Sequence, residues 1–227
     1  MTNAQKLIFY QLRHSRQNLI NYCYITIDEK NRLAVCIDPA WEPESFAAIF
    51  DRHQIKTIDV FLTHHHYDHV NLAEHFATQY NSRVYMHAKE ILFYGFNCKN
   101  LISIGNETPI VIGTIEVQPI FTPGHTVGSI CYLIDGRLFS GDTLFIEGCG
   151  LCSGKGGDPS AMFDSLNRLT HILQPEDRIY PGHRYYAELG QNFSYLLQMN
   201  LYLQLTDRRH FIQFRMREGQ KGNFAFQ

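Results

Sequence analysis

A short segment that reads Thr-His-His-His-Tyr-Asp-His concentrates side chains able to bind a metal ion. It follows an apolar run with the composition of a β-strand. In extended chain alternate side chains share one side, so we expect His64, His66 and Asp68 to converge beyond the end of that strand. His69 then lies where the chain turns into a helix. Imidazole and carboxylate groups together suit zinc, manganese or iron.

Three later segments each place another metal-binding side chain at the end of a predicted strand. His125 lies in a Pro-Gly turn just after Phe121, Asp142 follows the strand that begins at Arg137, and His183 again follows a strand and a Pro-Gly turn. A single histidine in a turn is usually an ordinary surface residue. Four such segments in one chain favour a shared metal site over four unrelated surface positions.

Strands and helices are predicted to alternate between these segments, which indicates a layered α/β protein. The clearest helix begins after Asp158, a predicted N-cap, has Pro159 at its first position, and ends before Pro175. Two further amphipathic helices are predicted at Glu44–His53 and Leu72–Tyr80. The predicted strands are Leu19–Ile27, Leu33–Ile37, Ile58–Leu62, Val84–His87, Ile115–Phe121, Ile130–Ile134 and Arg178–Tyr180.

The composition is that of a globular protein. Hydrophobic residues make up 44% of the 227 residues and charged residues 19%, and we expect one domain over residues 1–227 with a short helical extension from about 190 to 227. The net charge of -2 gives no reason to expect nucleic-acid binding. No apolar stretch approaches the roughly 20 residues that span a bilayer, so no membrane association is expected. The first residues lack a secretory signal pattern, which predicts a cytoplasmic location.

The order H-x-H-x-D-H, then His, Asp and His, resembles the signature of the metallo-β-lactamase superfamily, and the resemblance runs from about Asn18 to His183. It implies an α/β fold of the four-layer αβ/βα sandwich type, with metals at one edge between two sheets. It also implies two zinc ions per chain, with iron or manganese as alternatives. The implied ligands are His64, His66 and His125 for one metal, Asp68, His69 and His183 for the other, and Asp142 as a bridge between them.

Within the superfamily the chain looks most like the glyoxalase II type of thioesterase. The residues that carry this likeness run from Gly141 to Phe145, from Gly148 to Gly150 and from Tyr180 to His183. The resemblance implies that a metal-bridging hydroxide attacks a thioester carbonyl while Asp68 accepts a hydrogen bond from the hydroxide and aims it. Tyr185 matches a substrate contact of that family. The implied substrates are thioesters of glutathione, coenzyme A or an acyl carrier protein.

The chain departs from glyoxalase II where that family recognises glutathione. A basic residue and a tyrosine follow the Gly-Cys-Gly turn in the family, whereas Leu151, Cys152 and Ser153 follow it here. The helix start near Asp158 and the tail instead resemble the hydrolases found beside polyketide synthases, which act on carrier-bound acyl groups. The tail is either an ordinary solvated face or a dock for an acidic carrier protein. Its basic residues are Arg208, Arg209, Arg215, Arg217 and Lys221.

Other functions remain open for the same constellation. A persulfide dioxygenase would bind a single iron through two histidines and an aspartate, here His64 or His66, His125 and Asp142. A lactonase, a β-lactamase or a nuclease would use the same centre with a different pocket, and a non-catalytic module would keep only metal binding. Metal analysis separates the thioester hydrolase from the dioxygenase. Two zinc ions with thiol release indicate the hydrolase, and one iron with oxygen consumption indicates the dioxygenase. The sequence leaves the oligomeric state open.

Overall fold

The computed structural model describes residues 7–220 and 226–227, and this part of the chain forms two sheets flanked by helices. The strands are β1 Ile8–Arg16, β2 Leu19–Asp28, β3 Leu33–Ile37, β4 Thr57–Phe61, β5 Arg83–His87, β6 Leu101–Ile104, β7 Ile110–Ile112, β8 Ile115–Phe121, β9 Ile130–Ile134, β10 Arg137–Gly141, β11 Arg178–Pro181 and β12 Gln191–Asn192. The helices are α1 Pro43–Arg52, α2 Tyr67–Val70, α3 Ala73–Gln79, α4 Ala88–Tyr94, α5 Pro159–Ile172, α6 Phe193–Met199, α7 Leu201–Gln204 and α8 Arg208–Arg215.

Each sheet combines parallel and antiparallel pairing. The first sheet runs β1-β2-β3-β4-β5-β6; its first two pairings are antiparallel, and those from β3 to β6 are parallel. The second runs β12-β11-β10-β9-β8-β7, and only β10 and β11 pair in parallel. The candidate ligands follow β4 in the first sheet and β8, β10 and β11 in the second, so the site draws on both sheets.

Three buried clusters separate four layers of structure. Along β2, Cys23 and Ile25 pack among residues of α1 and α3, while Tyr22 and Tyr24, on the opposite face, pack against the second sheet. This split follows from the alternation of side chains along a strand. A third cluster lies between the second sheet and the helices α5, α6 and α8. The predicted four-layer αβ/βα sandwich is confirmed.

The predicted strands and the three predicted helices are present with small shifts at their ends. Helix α5 begins as expected, because the Asp158 carboxylate accepts hydrogen bonds from the backbone of Ser160 and Ala161. The strands β1, β6 and β7 and the helix α4 were not predicted. Beyond residue 190, the described chain contains three short helices, and α8 packs against α5. No helix in the described part has the length and apolar character needed to cross a bilayer.

Candidate metal centre

The candidate ligands of the histidine-rich segment lie partly on a loop and partly on a helix. Between the end of β4 and His66 the backbone is irregular, with a bend at Thr63, and helix α2 then begins at Tyr67. The expected extended chain is therefore not found, although the rings of His64 and His66 still lie side by side. Asp68 lies on helix α2. Its carboxylate belongs to a second cluster, with His69 and His183.

The first group of candidate ligands contains three imidazoles. His66 Nδ1 lies 2.9 Å from His64 Nε2 and 3.0 Å from His125 Nε2. His64 and His125 are buried, and His66 is half-buried beside the cavity described below. The structure thus brings together a histidine pair from the β4 end and a histidine from the turn after β8.

The second group joins α2 to the turn after β11. His69 Nε2 lies 3.3 Å from His183 Nε2, and Asp68 Oδ2 lies 3.3 Å from the same His183 atom. A methyl group at position 182 would collide with the His69 ring, which explains the glycine before His183. A third combination, Asp38 with His64 and His69, is also compact, but Asp38 already accepts hydrogen bonds from His69 and Thr63.

Asp142 lies between the two groups. Its Oδ1 is 3.4 Å from His69 Nε2 and 3.5 Å from His183 Nε2, while its Oδ2 is 3.7 Å from His125 Nε2. Oδ1 is buried and accepts no hydrogen bond from the described residues. A buried carboxylate oxygen without a donor is costly, and a cation between the groups would satisfy it.

The hydrogen bonds on the far side of the rings fix which nitrogens are free. The Nδ1 atoms of His125 and His183 each lie 2.7 Å from a backbone carbonyl, at Leu151 and Ile20, which can only accept. His69 Nδ1 likewise donates to Asp38 Oδ2 at 2.8 Å. Rings held in this way point their Nε2 atoms at the centre, which is the usual arrangement of histidine ligands once each Nε2 is deprotonated.

The spacing of these atoms fits two metal ions. Zinc to nitrogen bonds of about 2.0 to 2.1 Å in a tetrahedral site place two ligand nitrogens roughly 3.3 Å apart. The contacts of 2.9 to 3.3 Å within each group approach that separation. The donor set of imidazoles and carboxylates suits zinc, iron or manganese. The ligand roles of these residues remain predictions, and the geometry supports them.

The two groups differ in charge. Burial lowers the pKa of His64 and His125, and burial together with the nearby His125 lowers that of His66 to about 4. The first group is therefore three neutral rings. Burial also acts to lower the pKa of His69, but the carboxylates of Asp68, Asp142 and Asp38 outweigh it and raise that pKa to about 10. The second group thus carries most of the negative charge that would hold a cation.

Two residues that support the second group were not found from the sequence. Asp38, directly after β3, accepts hydrogen bonds from the Thr63 backbone at 2.7 Å and from His69. Its position at a strand end is the same signal that identified Asp142, and it could have been found in that way. Asn21 donates to Asp68 Oδ2 at 3.0 Å and accepts from Trp41 Nε1 at 2.9 Å. No spacing pattern in the sequence marks Asn21.

The remaining predicted residues have different surroundings. His65 points away from the centre, because its ring binds Glu90 and stacks on Tyr94. Tyr67 is 67% exposed and contacts Trp41, so it neither packs in the core nor lines the cavity. Tyr185 lines a cavity of about 390 Å³ beside Phe145 and Phe226, with His66, Asp68, His125, Asp142 and His183 at its polar end.

The basic tail is not a single solvated patch. Arg208 pairs with Asp164, and Arg215 is 4% exposed with a hydrogen bond to the Cys149 carbonyl. Arg209 and Arg217 are exposed, although Arg217 also contacts Tyr202. Lys221 lies outside the described residues. Any basic docking surface in the described part of the tail is therefore smaller than the sequence indicated.

Residues 23–183 match the family model described as the metallo-beta-lactamase superfamily. The chain belongs to the metallo-beta-lactamase superfamily. The matched region contains all the candidate ligands and ends at His183. The resemblance predicted from the ligand order is confirmed at this level.

Named relatives within the metallo-beta-lactamase superfamily fall into two groups. The chain is 41% identical over 217 residues to the Bacillus velezensis protein named "Probable polyketide biosynthesis zinc-dependent hydrolase BaeB", covering 96% of each chain. It is 42% identical over 210 residues to the Bacillus subtilis protein named "Probable polyketide biosynthesis zinc-dependent hydrolase PksB", covering 92% of this chain and 93% of that one. It is also 33% identical to the hydroxyacylglutathione hydrolase of Dictyostelium discoideum, covering 74% of this chain and 63% of that protein.

Solved structures of this superfamily share the fold. The crystal structure of ETHE1 from Myxococcus xanthus superposes with a TM-score of 0.83 at 28% identity, covering 96% of this chain and 98% of that one.

The sequence relatives confirm the likeness to polyketide hydrolases that was predicted from the helix start and the tail. Glyoxalase II is the more distant likeness.

Proposed function

We propose that this protein is a zinc-dependent hydrolase that cleaves a thioester. One observation carries the proposal: bare imidazole lone pairs and two carboxylates line one end of a cavity of about 390 Å³. The names of the Bacillus relatives support a metal-dependent hydrolase. The leaving-group chemistry of a thioester and the lining of the cavity support the thioester as the substrate.

Zinc at such a site lowers the pKa of a bound water from about 16 towards about 7 and polarises a substrate carbonyl. The protein supplies the orientation. Asp68 remains ionised, because hydrogen bonds and nearby histidines hold its pKa well below the usual range despite its burial. Asn21 fixes one of its oxygens at 3.0 Å. The carboxylate can therefore accept a hydrogen bond from the attacking water and aim it at the carbonyl carbon.

The walls of the cavity suit a thioester with an apolar acyl group. Leu19, Phe145, Leu151 and Phe226 line it, and the Phe226 ring stacks on the ring of His183 with centroids 3.9 Å apart. A thiolate leaving group has a conjugate-acid pKa of about 8.5, so it departs without a dedicated general acid.

We infer that the thiol half of the substrate is carried by an acyl carrier protein. The relatives named for polyketide biosynthesis match this chain over nearly its whole length, whereas the chain covers 63% of the Dictyostelium glutathione-thioester hydrolase. The exposed Arg209 and Arg217 offer positive charge to an acidic carrier. The acyl group itself follows from neither observation.

The proposal is tested by thiol release from one acyl group presented on glutathione, on coenzyme A and on an acyl carrier protein. We expect two zinc ions per chain, release of thiol, and the highest kcat/KM with the carrier protein. A His66→Ala variant should lose most of the activity with every substrate. One iron per chain with oxygen consumption and no thiol release would instead establish the dioxygenase alternative.

The carrier preference has its own test. Changing Arg209 and Arg217 together to glutamine should lower kcat/KM for the carrier-bound substrate several-fold and leave the coenzyme A thioester unaffected. Arg208→Gln is the matched control, because Arg208 lies beside Arg209 at the start of α8 and Asp164 already pairs with it. Equal effects of the double variant on both substrates would remove the docking role and leave the thioesterase proposal intact.

A further inference from the structure

Glu90, on helix α4, is a buried carboxylate outside the two groups of candidate ligands. Its side chain is fully buried and lies beside the loops that carry the first ligand group. Buried carboxylates are costly unless a cation or several donors satisfy them. Glu90 has four donors, and they come from only two loops.

Each oxygen of Glu90 holds one of these loops. Oε1 accepts from the His65 backbone at 2.9 Å and from His65 Nδ1 at 2.6 Å. Oε2 accepts from Thr126 Oγ1 at 2.9 Å and from the Gly128 backbone at 2.8 Å. His65 stands between the ligands His64 and His66, and Thr126 directly follows His125. The carboxylate thus joins the backbone on both sides of the first group.

We propose that Glu90 is a positioning residue that sets the geometry, and hence the metal affinity, of the site formed by His64, His66 and His125. The proposal rests on the metal-binding roles proposed for those histidines. The hydrogen bonds of Glu90 in the described structure go to His65, Thr126 and Gly128 and not to the three rings, so it acts by fixing the two loops relative to each other. Its effect should be confined to the first site, because none of its donors belongs to the second.

The chemistry of the four donors requires a carboxylate at this position. Burial alone would raise the pKa of Glu90, but the hydrogen bonds from His65, Thr126 and Gly128 lower it, so the group is ionised. An ionised carboxylate only accepts, and its two oxygens can take four donors. A glutamine of the same size would turn an NH₂ group towards one of the two loops and lose the acceptor there.

Close packing of α4 against the same loops supports the assignment. A methyl group on Gly128 would collide with the backbone of Glu90, so glycine is required for this approach. On the other side the His65 ring stacks on Tyr94, with centroids 3.5 Å apart and planes at 12°. The helix therefore contacts both ligand loops directly, and Glu90 supplies the polar part of that contact.

Asp38 provides an internal comparison for the second site. It accepts hydrogen bonds from His69 Nδ1 and from Thr63, whose hydroxyl also lies 3.0 Å from His64 Nδ1, so its removal should weaken the second group and disturb His64 as well. Asp59 provides the structural control. It is 1% exposed and pairs with Arg83, and it touches neither ligand loop. The three carboxylates are all buried, and they differ in which ligands they support.

The test measures zinc affinity by competition with a chromophoric chelator in the wild-type protein and in Glu90→Gln, Asp38→Asn and Asp59→Asn. We expect Glu90→Gln to weaken one of the two zinc sites about 10 to 100-fold and leave the other unchanged. Cobalt substitution, read from its visible absorption, should show that Glu90→Gln weakens the first site and spares the second, whereas Asp38→Asn weakens the second. Asp59→Asn should bind both ions as the wild type does.

Thr126→Val is a second variant that removes one donor and keeps the carboxylate, and it is used if Glu90→Gln fails to fold. It should weaken the same site, by a smaller factor. Wild-type affinity at both sites in whichever variant folds would overturn the role of Glu90 while leaving the proposed function standing. A wild-type protein that binds no zinc would instead overturn the proposed function on which this inference rests.

Discussion

The free lone pairs of the imidazoles depend on partners outside the metal centre. The Nδ1 atoms of two rings donate to backbone carbonyls, that of His125 to Leu151 and that of His183 to Ile20. His69 Nδ1 donates to the carboxylate of Asp38. Each partner fixes a tautomer and a ring orientation before any ion binds. Such outer partners commonly affect metal affinity nearly as strongly as the ligands do.

Asn21 gives a test of this principle at Asp68. Replacing Asn21 by leucine keeps the volume but removes the donor to Asp68 Oδ2, so zinc binding at the second site should weaken by about 10-fold or more. The measurement is zinc content after dialysis against a fixed free-zinc concentration. Trp41→Phe, which removes only the donor to Asn21, should have a smaller effect in the same direction. Undiminished zinc in the leucine variant would contradict the role given to Asn21.

The ends of strands and helices determine where these side chains stand. Helix α5 begins at a capped position, and the Asp158 backbone N–H also binds the carbonyl of Gly124, just before His125. The helix start is therefore connected to the turn that carries a candidate ligand.

Replacing Asp158 by alanine should lower the free energy of unfolding by about 1 kcal/mol, because two N-terminal amides lose their acceptor. Asp158→Asn, which keeps a capping oxygen, should retain most of the stability. Urea unfolding of the zinc-loaded proteins measures both. A similar loss in the two variants would show that the cap is not the origin of the effect.

Asp28 links the two sheets at the end of β2. Its carboxylate accepts hydrogen bonds from Asn31 in the adjacent turn and from Thr114 between β7 and β8. Burial acts to raise its pKa, but these hydrogen bonds lower it from 3.8 to about 2. Since the folded-state pKa lies below the unfolded value, the stabilisation is present above about pH 4 and is lost as the pH falls towards about 2.

We therefore expect Asp28→Asn to lower the unfolding free energy by about 1 to 3 kcal/mol at neutral pH. The difference from the wild type should shrink as the pH falls from about 4 to about 2, because the wild-type carboxyl is then also neutral. Urea unfolding across this pH range provides the measurement. A difference that does not change with pH would rule out the charged form as its source.

The elements that the sequence predicted and those it missed differ for physical reasons. Central strands such as β2 and β4 bury long apolar runs, so composition alone identifies them. The edge strand β1 alternates buried and exposed positions weakly, and its polar residues conceal the pattern. Helix α4 spans 7 residues, which is too short for a clear periodicity, and its buried residue is Glu90.

The candidate ligands could be proposed from the sequence because their histidines and aspartates follow several predicted strands in a recognisable order. Two residues that support them, Asn21 and Glu90, could not be proposed in this way. Asn21 and Glu90 each lie within an element and carry no spacing signal, and only the packing of distant segments brings them to the site. Long-range contacts of this kind require the folded structure.

The protein as a whole is a sandwich whose two halves meet at the candidate metal centre. The first sheet supplies His64, His66, Asp68 and His69, and the second supplies His125, Asp142 and His183. Bound metal would therefore connect the halves as well as serve the reaction, and a ligand that binds only the folded state stabilises it.

Removal of metal should consequently lower the melting temperature. With free zinc at about 100 times its dissociation constant, the expected stabilisation is about 2.7 kcal/mol, and chelation should remove it reversibly. Differential scanning calorimetry before chelation, after chelation and after zinc is restored provides the comparison. A melting temperature that does not respond to chelator would indicate that the two halves are held together without an ion.

The central claim is that seven side chains hold two metal ions that together cleave a thioester. Its most direct test is a titration of the metal-free protein with zinc while thiol release from a single acyl thioester is followed. We predict that the rate rises with added zinc and reaches its maximum at two ions per chain. Full activity without metal, or no thiol release at any zinc content, would contradict the claim.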